Sequence, residues 1–212
     1  MDTKPTILFD GLPGINLTQG EDRTIAITVT DASNNGLPIN MTGAIVDMNL
    51  PLLGGGNIHR ANFGLLIAPS EISPTGTPPL FTVEDHGFVS FDPVQFSVTS
   101  PSVLPGGISA STTYYVQTID VNTFYLTTDV AGLVPVVLTT VGTGTFAMQV
   151  FPSDISVTSG DLGVVALTLR AAVTQVINDG LAQDMQFSYM LSGKTRVVVV
   201  PSWLDVMPQV DA

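Results

Sequence analysis

Glycine and proline interrupt this chain so often that no long helix can run through it. Twenty Gly and 15 Pro are spread over 212 residues, and each type breaks or bends regular structure. Between the breaks, apolar residues alternate with polar or small ones. Ile25, Ile27 and Val29 are interleaved with Thr24, Ala26, Thr28 and Thr30, while Ala44, Val46, Met48 and Leu50 enclose Asp47 and Asn49. A period of two puts successive side chains on opposite faces, so both runs predict half-buried strands. Asn34-Asn35-Gly36 lies between them, and Asn-Gly accepts the positive φ of a tight hairpin. The pattern returns in Val164–Leu169, in Met185, Phe187, Tyr189 and Leu191, and in 195–200, with Ser192-Gly193 as the turn. Only Ala171, Ala172, Val173, Val176 and Ile177 have helical spacing, closed by Asn178-Asp179-Gly180. The expected class is all-β.

Composition narrows the function. Six basic residues against 18 acidic ones give a net charge of −12, and Lys4, Arg23, Arg60, Arg170, Lys194 and Arg196 are too scattered to neutralise a run of phosphates. Nucleic acid and membranes are therefore not expected partners. Only 11% of residues are charged, and mean hydropathy is +0.41. A surface covered by other protein chains reconciles the two, so a homo-oligomer or a symmetric hetero-assembly is expected. With no cysteine, disulfides and thiolate chemistry are excluded. Residues 1–11 show no signal-peptide pattern, which predicts synthesis in a cytoplasm. The most apolar runs, 162–169 and 197–200, are far shorter than the ~20 residues of a membrane helix.

Pro74-Thr75-Gly76-Thr77-Pro78-Pro79 reads as a junction before a Thr/Val/Tyr/Phe-rich block that extends to about Met148. Within it, 113–118, 123–128 and 136–140 read as strands. The block carries, in order, His86-Gly87-Phe88, Pro93-Val94-Gln95-Phe96, Leu104-Pro105-Gly106-Gly107-Ile108, Thr113-Tyr114-Tyr115-Val116, Asn122-Thr123-Phe124-Tyr125-Leu126, Ala131-Gly132, and Leu138 through Gly142-Thr143-Gly144-Thr145. This series resembles a module recurrent in structural proteins of tailed bacteriophages. It departs from that pattern at Ser90-Phe91-Asp92, where the module has a Thr-Gly-Asp type turn.

The flanks carry Gln19-Gly20-Glu21-Asp22, Val29-Thr30-Asp31, Gly36 through Ala44, Gly163 through Leu169, Thr174, Gly180 and Gly193-Lys194-Thr195-Arg196. They resemble the immunoglobulin-like fold of phage baseplate or upper-fibre proteins. Together the two resemblances imply a discontinuous β-sandwich from 1–80 and 149–212 with a small β-barrel or sandwich inserted at 81–148. They also imply a virion structural protein of the tail, baseplate or fibre-attachment region, whose partners are other virion proteins. A capsid decoration or head-fibre protein, and a carbohydrate-binding module touching the host surface, are the alternatives.

Motifs for chemistry are sparse. His59 and His86 are the only imidazoles, and a metal site would need them to converge with carboxylates such as Glu84 or Asp85; His59-Arg60 reads instead as a solvated strand edge and Glu84-Asp85-His86-Gly87 as a polar turn. Gly107-Ile108-Ser109-Ala110-Ser111 lacks the final glycine of a nucleophile elbow. Gly54-Gly55-Gly56 lacks the downstream Lys-Ser/Thr of a phosphate-binding loop. No catalysis, cofactor or metal is expected. Tyr114, Tyr115, Phe124 and Tyr125 invite comparison with a sugar platform, but neighbouring strand residues face opposite sides and core packing is the expected role. The remaining candidate is the C-terminal stretch with Trp203, Leu204, Val206 and Met207, which reads either as an interface arm, since these residue types suit interface cores, or as a last strand tucked into the sandwich.

Overall fold

The computed structural model describes residues 5–9, 22–31, 35–52, 55–110, 112–178, 186–192 and 197–199. In chain order the first strands are β1 (Pro5–Phe9), β2 (Arg23–Asp31), β3 (Leu37–Pro38), β4 (Ile45–Pro51) and β5 (Asn57–Ala61). Next come β6 (Leu65–Ile67), β7 (Ile72–Ser73), β8 (Leu80–Thr82), β9 (Pro93–Val98), β10 (Tyr114–Thr118), β11 (Thr123–Thr127) and β12 (Phe146–Val150). The chain ends through β13 (Ile155–Ser159), β14 (Val164–Leu169), the helix α1 (Ala171–Asn178), β15 (Gln186–Met190) and β16 (Val197–Val199). The fold is all-β, as the alternation predicts, and it divides into two compact units: 1–54, 59–62 and 154–212 form the first, and 55–58 with 63–153 form the second.

The first unit holds two antiparallel sheets. One has the order β1-β2-β14-β13 with β3 paired to β2, the other β16-β15-β4-β5. These are the A-B-E-D and G-F-C-C′ orders of an immunoglobulin-type sandwich. Ile27 and Val29 of β2, and Val165, Leu167 and Leu169 of β14, are buried from one sheet; Val46, Met48 and Leu50 of β4, with Phe187 and Tyr189 of β15, are buried from the other. Register keeps the two apolar sets together, with Ile27 opposite Val165 and Met48 opposite Phe187. Asn35 and Gly36 take φ of 53° and 70° between β2 and β3, the left-handed pair a tight turn requires. The Ala171 amide donates to the Asp22 carboxylate at 2.8 Å, which caps the start of α1 from the far end of the chain.

The second unit interrupts this sandwich between β5 and β13, and a buried ion pair holds the seam. Arg60 on β5 and Asp154 just before β13 are each 1% exposed at the side chain, with Nε 2.9 Å from Oδ2. Arg170 donates to the other Asp154 oxygen at 2.6 Å. β5 is a sheet edge, but Arg60 is not the solvated residue that His59-Arg60 suggests in the sequence, because Asp154 neutralises it inside.

The second unit is one seven-stranded sheet in the order β6-β12-β9-β10-β11-β8-β7. Its two end strands are consecutive in the chain, separated only by residues 68–71. A flat sheet of this width would hold its edges about 29 Å apart at ~4.8 Å per strand, whereas the link from Ile67 to Ile72 spans at most about 17 Å fully extended. The sheet must therefore curl into a small barrel. Glu71 fixes the link, since its carboxylate accepts the Ala68 amide at 2.6 Å. Ile67, Phe81, Phe96, Tyr114, Phe124 and Phe146 fill the interior, with Phe81 stacked on Phe124 at 5.1 Å between centroids.

Two differences from the sequence reading have physical causes. The second unit takes in 55–58 and 63–153, whereas the resemblances imply a module at 81–148. β6 and β7 carry no Thr/Tyr signature, yet they are the strands whose short link curls the sheet. At the other end, Gln149 and Val150 pair with Gln95 and Val94. The run 136–140 alternates, with Val136 and Leu138 buried and Val137 exposed, but it is no strand, only an extended segment beside a single bridge from Pro135 to Thr127.

The departure at Ser90-Phe91-Asp92 is resolved in the backbone. Phe91 sits at φ 73°, where the resembling module has glycine. The Asp92 carboxylate accepts the Val89 amide at 2.8 Å, and the Phe91 amide reaches the Val116 carbonyl at 2.7 Å. The turn thus holds a bulky residue in the left-handed region, at a strain of about 1–2 kcal/mol. Phe91→Gly relieves that strain and gives back part of it as unfolded-chain entropy. A net stabilisation of about 0.5–1 kcal/mol is expected, read from urea unfolding.

Because Arg60 and Asp154 touch, the two ends of the insertion lie side by side. Deleting 63–153 and bridging Asn62 to Asp154 with a short Gly/Ser linker should leave a cooperatively melting sandwich. Deleting 81–148 instead strands β6 and β7 without β12 and β8. That protein is expected to be molten or insoluble, with dye binding and loss of a sharp calorimetric transition as the readout.

Candidate functional site

Three residue types of hydrolytic chemistry meet on the first unit. Ser188 on β15 lies directly opposite Asp47 on β4 and donates its hydroxyl to Oδ1. His59 on β5 places Nε2 3.2 Å from Oδ2 of the same carboxylate. The order is wrong for catalysis. A serine nucleophile needs the imidazole between itself and the carboxylate, but here the carboxylate is in the middle and accepts the serine hydroxyl's hydrogen bond itself. The row pins three neighbouring strands together, with Asp47 and Ser188 both buried.

His86, in the second unit, is an interior residue. Its Nδ1 accepts the Phe88 amide at 3.0 Å, so the proton is on Nε2, which donates to the Asp120 carbonyl at 3.0 Å. Phe88 stacks on the ring and Phe124 meets it edge-on at 5.0 Å. Burial lowers its pKa below 6.5, against the opposing pull of Asp120, Asp85 and Asp92. With both nitrogens engaged, the ring has no free lone pair for a metal. Among the described residues no three His, Asp or Glu side chains stand close enough to hold one. The carboxylate of Asp85 is occupied by the backbone and side-chain amides of Asn57.

The remaining sequence candidates separate. Tyr114 and Phe124 point into the barrel, while Tyr115 and Tyr125 are half-buried on its outside. Gly107, at φ 101°, sits so close to the Val137 carbonyl that a Cβ would stand 2.1 Å from it, so this glycine-rich stretch serves loop packing. Ser111 lies outside the described residues, as do Trp203, Leu204, Val206 and Met207.

What the structure adds is a loop absent from the candidates above. After β11 the chain turns at Asp129 and passes against Gln117 of β10 at Gly132, before Val136 and Leu138 join the barrel core. A Cβ on Gly132 would stand 2.8 Å from the Gln117 side chain, and Thr127 donates its hydroxyl to the Asp129 carbonyl. The Asp129 carboxylate organises the loop by accepting the amides of Leu133 at 3.1 Å and Val134 at 2.6 Å. Those backbone hydrogen bonds lower its pKa and hold it ionised. On this frame Leu133 is 79% exposed and Val137 74%, with Val130 and Val134 also outward. A loop tied down by a carboxylate displays aliphatic side chains to solvent, at a site where flexible polar residues are the usual choice.

Comparison with known protein families, with curated proteins and with solved structures finds no match. The loop was nonetheless traceable in the sequence. From Val130 to Leu138 no residue is charged and only Gly132 and Pro135 interrupt the apolar run, a pattern read as strand at its end because inward and outward residues alternate there.

The His86 geometry sets a pH dependence. A histidine whose folded-state pKa lies below its unfolded value of about 6.5 contributes stability that is full above that pH and is lost as pH falls through it. Hydrogen-exchange protection of the β10 and β11 amides should therefore decline between pH 7.5 and 5.5, by up to about 1.4 kcal/mol per pH unit. A His86→Gln variant should begin less protected and decline less.

Proposed function

We propose that this chain is a non-enzymatic structural component of a tailed-phage particle, in its tail, baseplate or fibre-attachment region, and that it works by docking to other virion proteins. The ordered motif series from His86 to Thr145 supports the setting, and the aliphatic loop supports the mode of action. Leu133 and Val137 carry the reading. A soluble chain gains nothing from holding such side chains rigidly in water, whereas a docking partner that finds the loop already ordered need not supply the entropy of ordering it.

Mass spectrometry of purified particles should find the protein at a fixed stoichiometry, and a particle map would separate a tail position from a head-decoration one. Leu133→Asp should leave the circular dichroism spectrum and melting temperature of the isolated protein unchanged. The same variant should be depleted from particles by roughly tenfold or more, as expected when an interface anchor is replaced by a buried charge.

A further inference from the structure

Of the asparagines in this chain, Asn35 alone is followed by glycine. That neighbour decides reactivity as well as turn geometry. A backbone nitrogen attacks the side-chain carbonyl of the preceding asparagine most readily when its own residue carries no Cβ to crowd the approach and leaves the backbone free to turn. The structure sets Asn35 apart a second time. It is exposed in the turn between β2 and β3, and a Cβ built on Gly36 would meet nothing within 4 Å, so the surroundings are open. Other asparagines have their amides held. Asn40 Oδ1 accepts the Thr42 amide at 2.9 Å, and Asn57 Nδ2 donates to Asp85. Asn62 Oδ1 accepts the Val46 amide at 3.1 Å while its Nδ2 donates to the Ala44 carbonyl at 2.9 Å, and Asn122 Oδ1 accepts the Asp85 amide at 2.8 Å.

We infer that Asn35 is a self-modification site, where the chain deamidates its own side chain, and that the β2–β3 turn sets the rate. The Gly36 nitrogen gives its proton to solvent base and bonds to Asn35 Cγ. The Cγ–Nδ2 bond breaks, and the amide nitrogen leaves as ammonia with a proton from water. A second water opens the resulting five-membered imide at either carbonyl, leaving aspartate or isoaspartate at position 35. Water is the only co-reactant. In the folded turn the Gly36 amide donates to the Asp31 carbonyl at 2.9 Å, which keeps the proton on the nitrogen, so the reaction waits for that bond to open. The opening is local, because β3 is two exposed residues paired to β2 beside the main run of the sheet. Isoaspartate routes the main chain through the former side-chain carbon and adds one backbone atom to the turn. The register of Thr30 with Pro38 and Asp31 with Leu37 does not close over that longer turn. Beyond β3 the chain is fixed separately, since Met41 is buried and donates its amide to the Gly160 carbonyl at 2.6 Å, and the change stays within the hairpin.

Incubation of the full chain at mildly alkaline pH, folded and in guanidinium chloride, with each asparagine followed by peptide mass spectrometry, tests this. In denaturant Asn35 should convert ahead of every other asparagine. The folded chain should convert at Asn35 more slowly than the denatured one, by at least the protection factor of the Gly36 amide against hydrogen exchange, roughly tenfold or more for a paired turn. The isoaspartate form, separated by chromatography, should lose protection at the Gly36 and Ile39 amides and keep it at Met41. Gly36→Ala puts a Cβ on the attacking residue and should slow conversion roughly tenfold or more even in denaturant, where folding plays no part. Conversion in denaturant that is led by another asparagine, or that is unchanged in Gly36→Ala, overturns the site. A folded chain that converts as fast as the denatured one overturns the control exerted by the turn.

Discussion

The Arg60–Asp154 pair is the interaction that lets one chain build two bodies. A sandwich interrupted for ninety-one residues, 63 to 153, must bring β5 and β13 back to adjacent places, and the entropy of closing so long a loop has to be offset by what happens at its mouth. Asp154 meets that need by pairing with two arginines, Arg60 ahead of the insertion and Arg170 behind β14. Burying such charges is costly. Replacing the pair by apolar residues of similar volume is often neutral or stabilising, whereas stranding one member costs about 3–5 kcal/mol. What the pair provides is specificity of placement, because an arginine inside a sandwich accepts one position for its carboxylate, while a leucine would tolerate several. The Asp154 carbonyl also takes the Thr168 amide at 2.6 Å, so the same residue sets the register of β13 against β14.

The same logic of one satisfied carboxylate organising its surroundings recurs in the barrel. Glu71 ties the link that makes the sheet curl, Asp92 holds the turn in which Phe91 is left-handed, and Asp129 ties the aliphatic loop. In a chain with so few charges, these acids are spent on backbone amides. Each replaces several weak turn preferences with a charge-assisted hydrogen bond. The consequence for function is that the loops are rigid, and the barrel surface between the acids is left without charge.

Strands and turns were readable because they depend on neighbours in sequence. Ile25 to Thr30 and Ala44 to Leu50 alternate visibly, Asn35-Gly36 marks its hairpin, and the helical spacing at Ala171 to Ile177 marks α1. Features that depend on distant partners were not readable. Nothing near Arg60 announces Asp154, and β6 is three residues whose strand character exists only because Phe146, Ala147 and Met148 pair with it. His86 looked like a turn residue because its neighbours are polar; only Phe124, brought over by the sheet, makes its site an interior one. The aliphatic loop was misread in part for a related reason, since Val136 and Leu138 point inward as strand residues do but have no ladder to join.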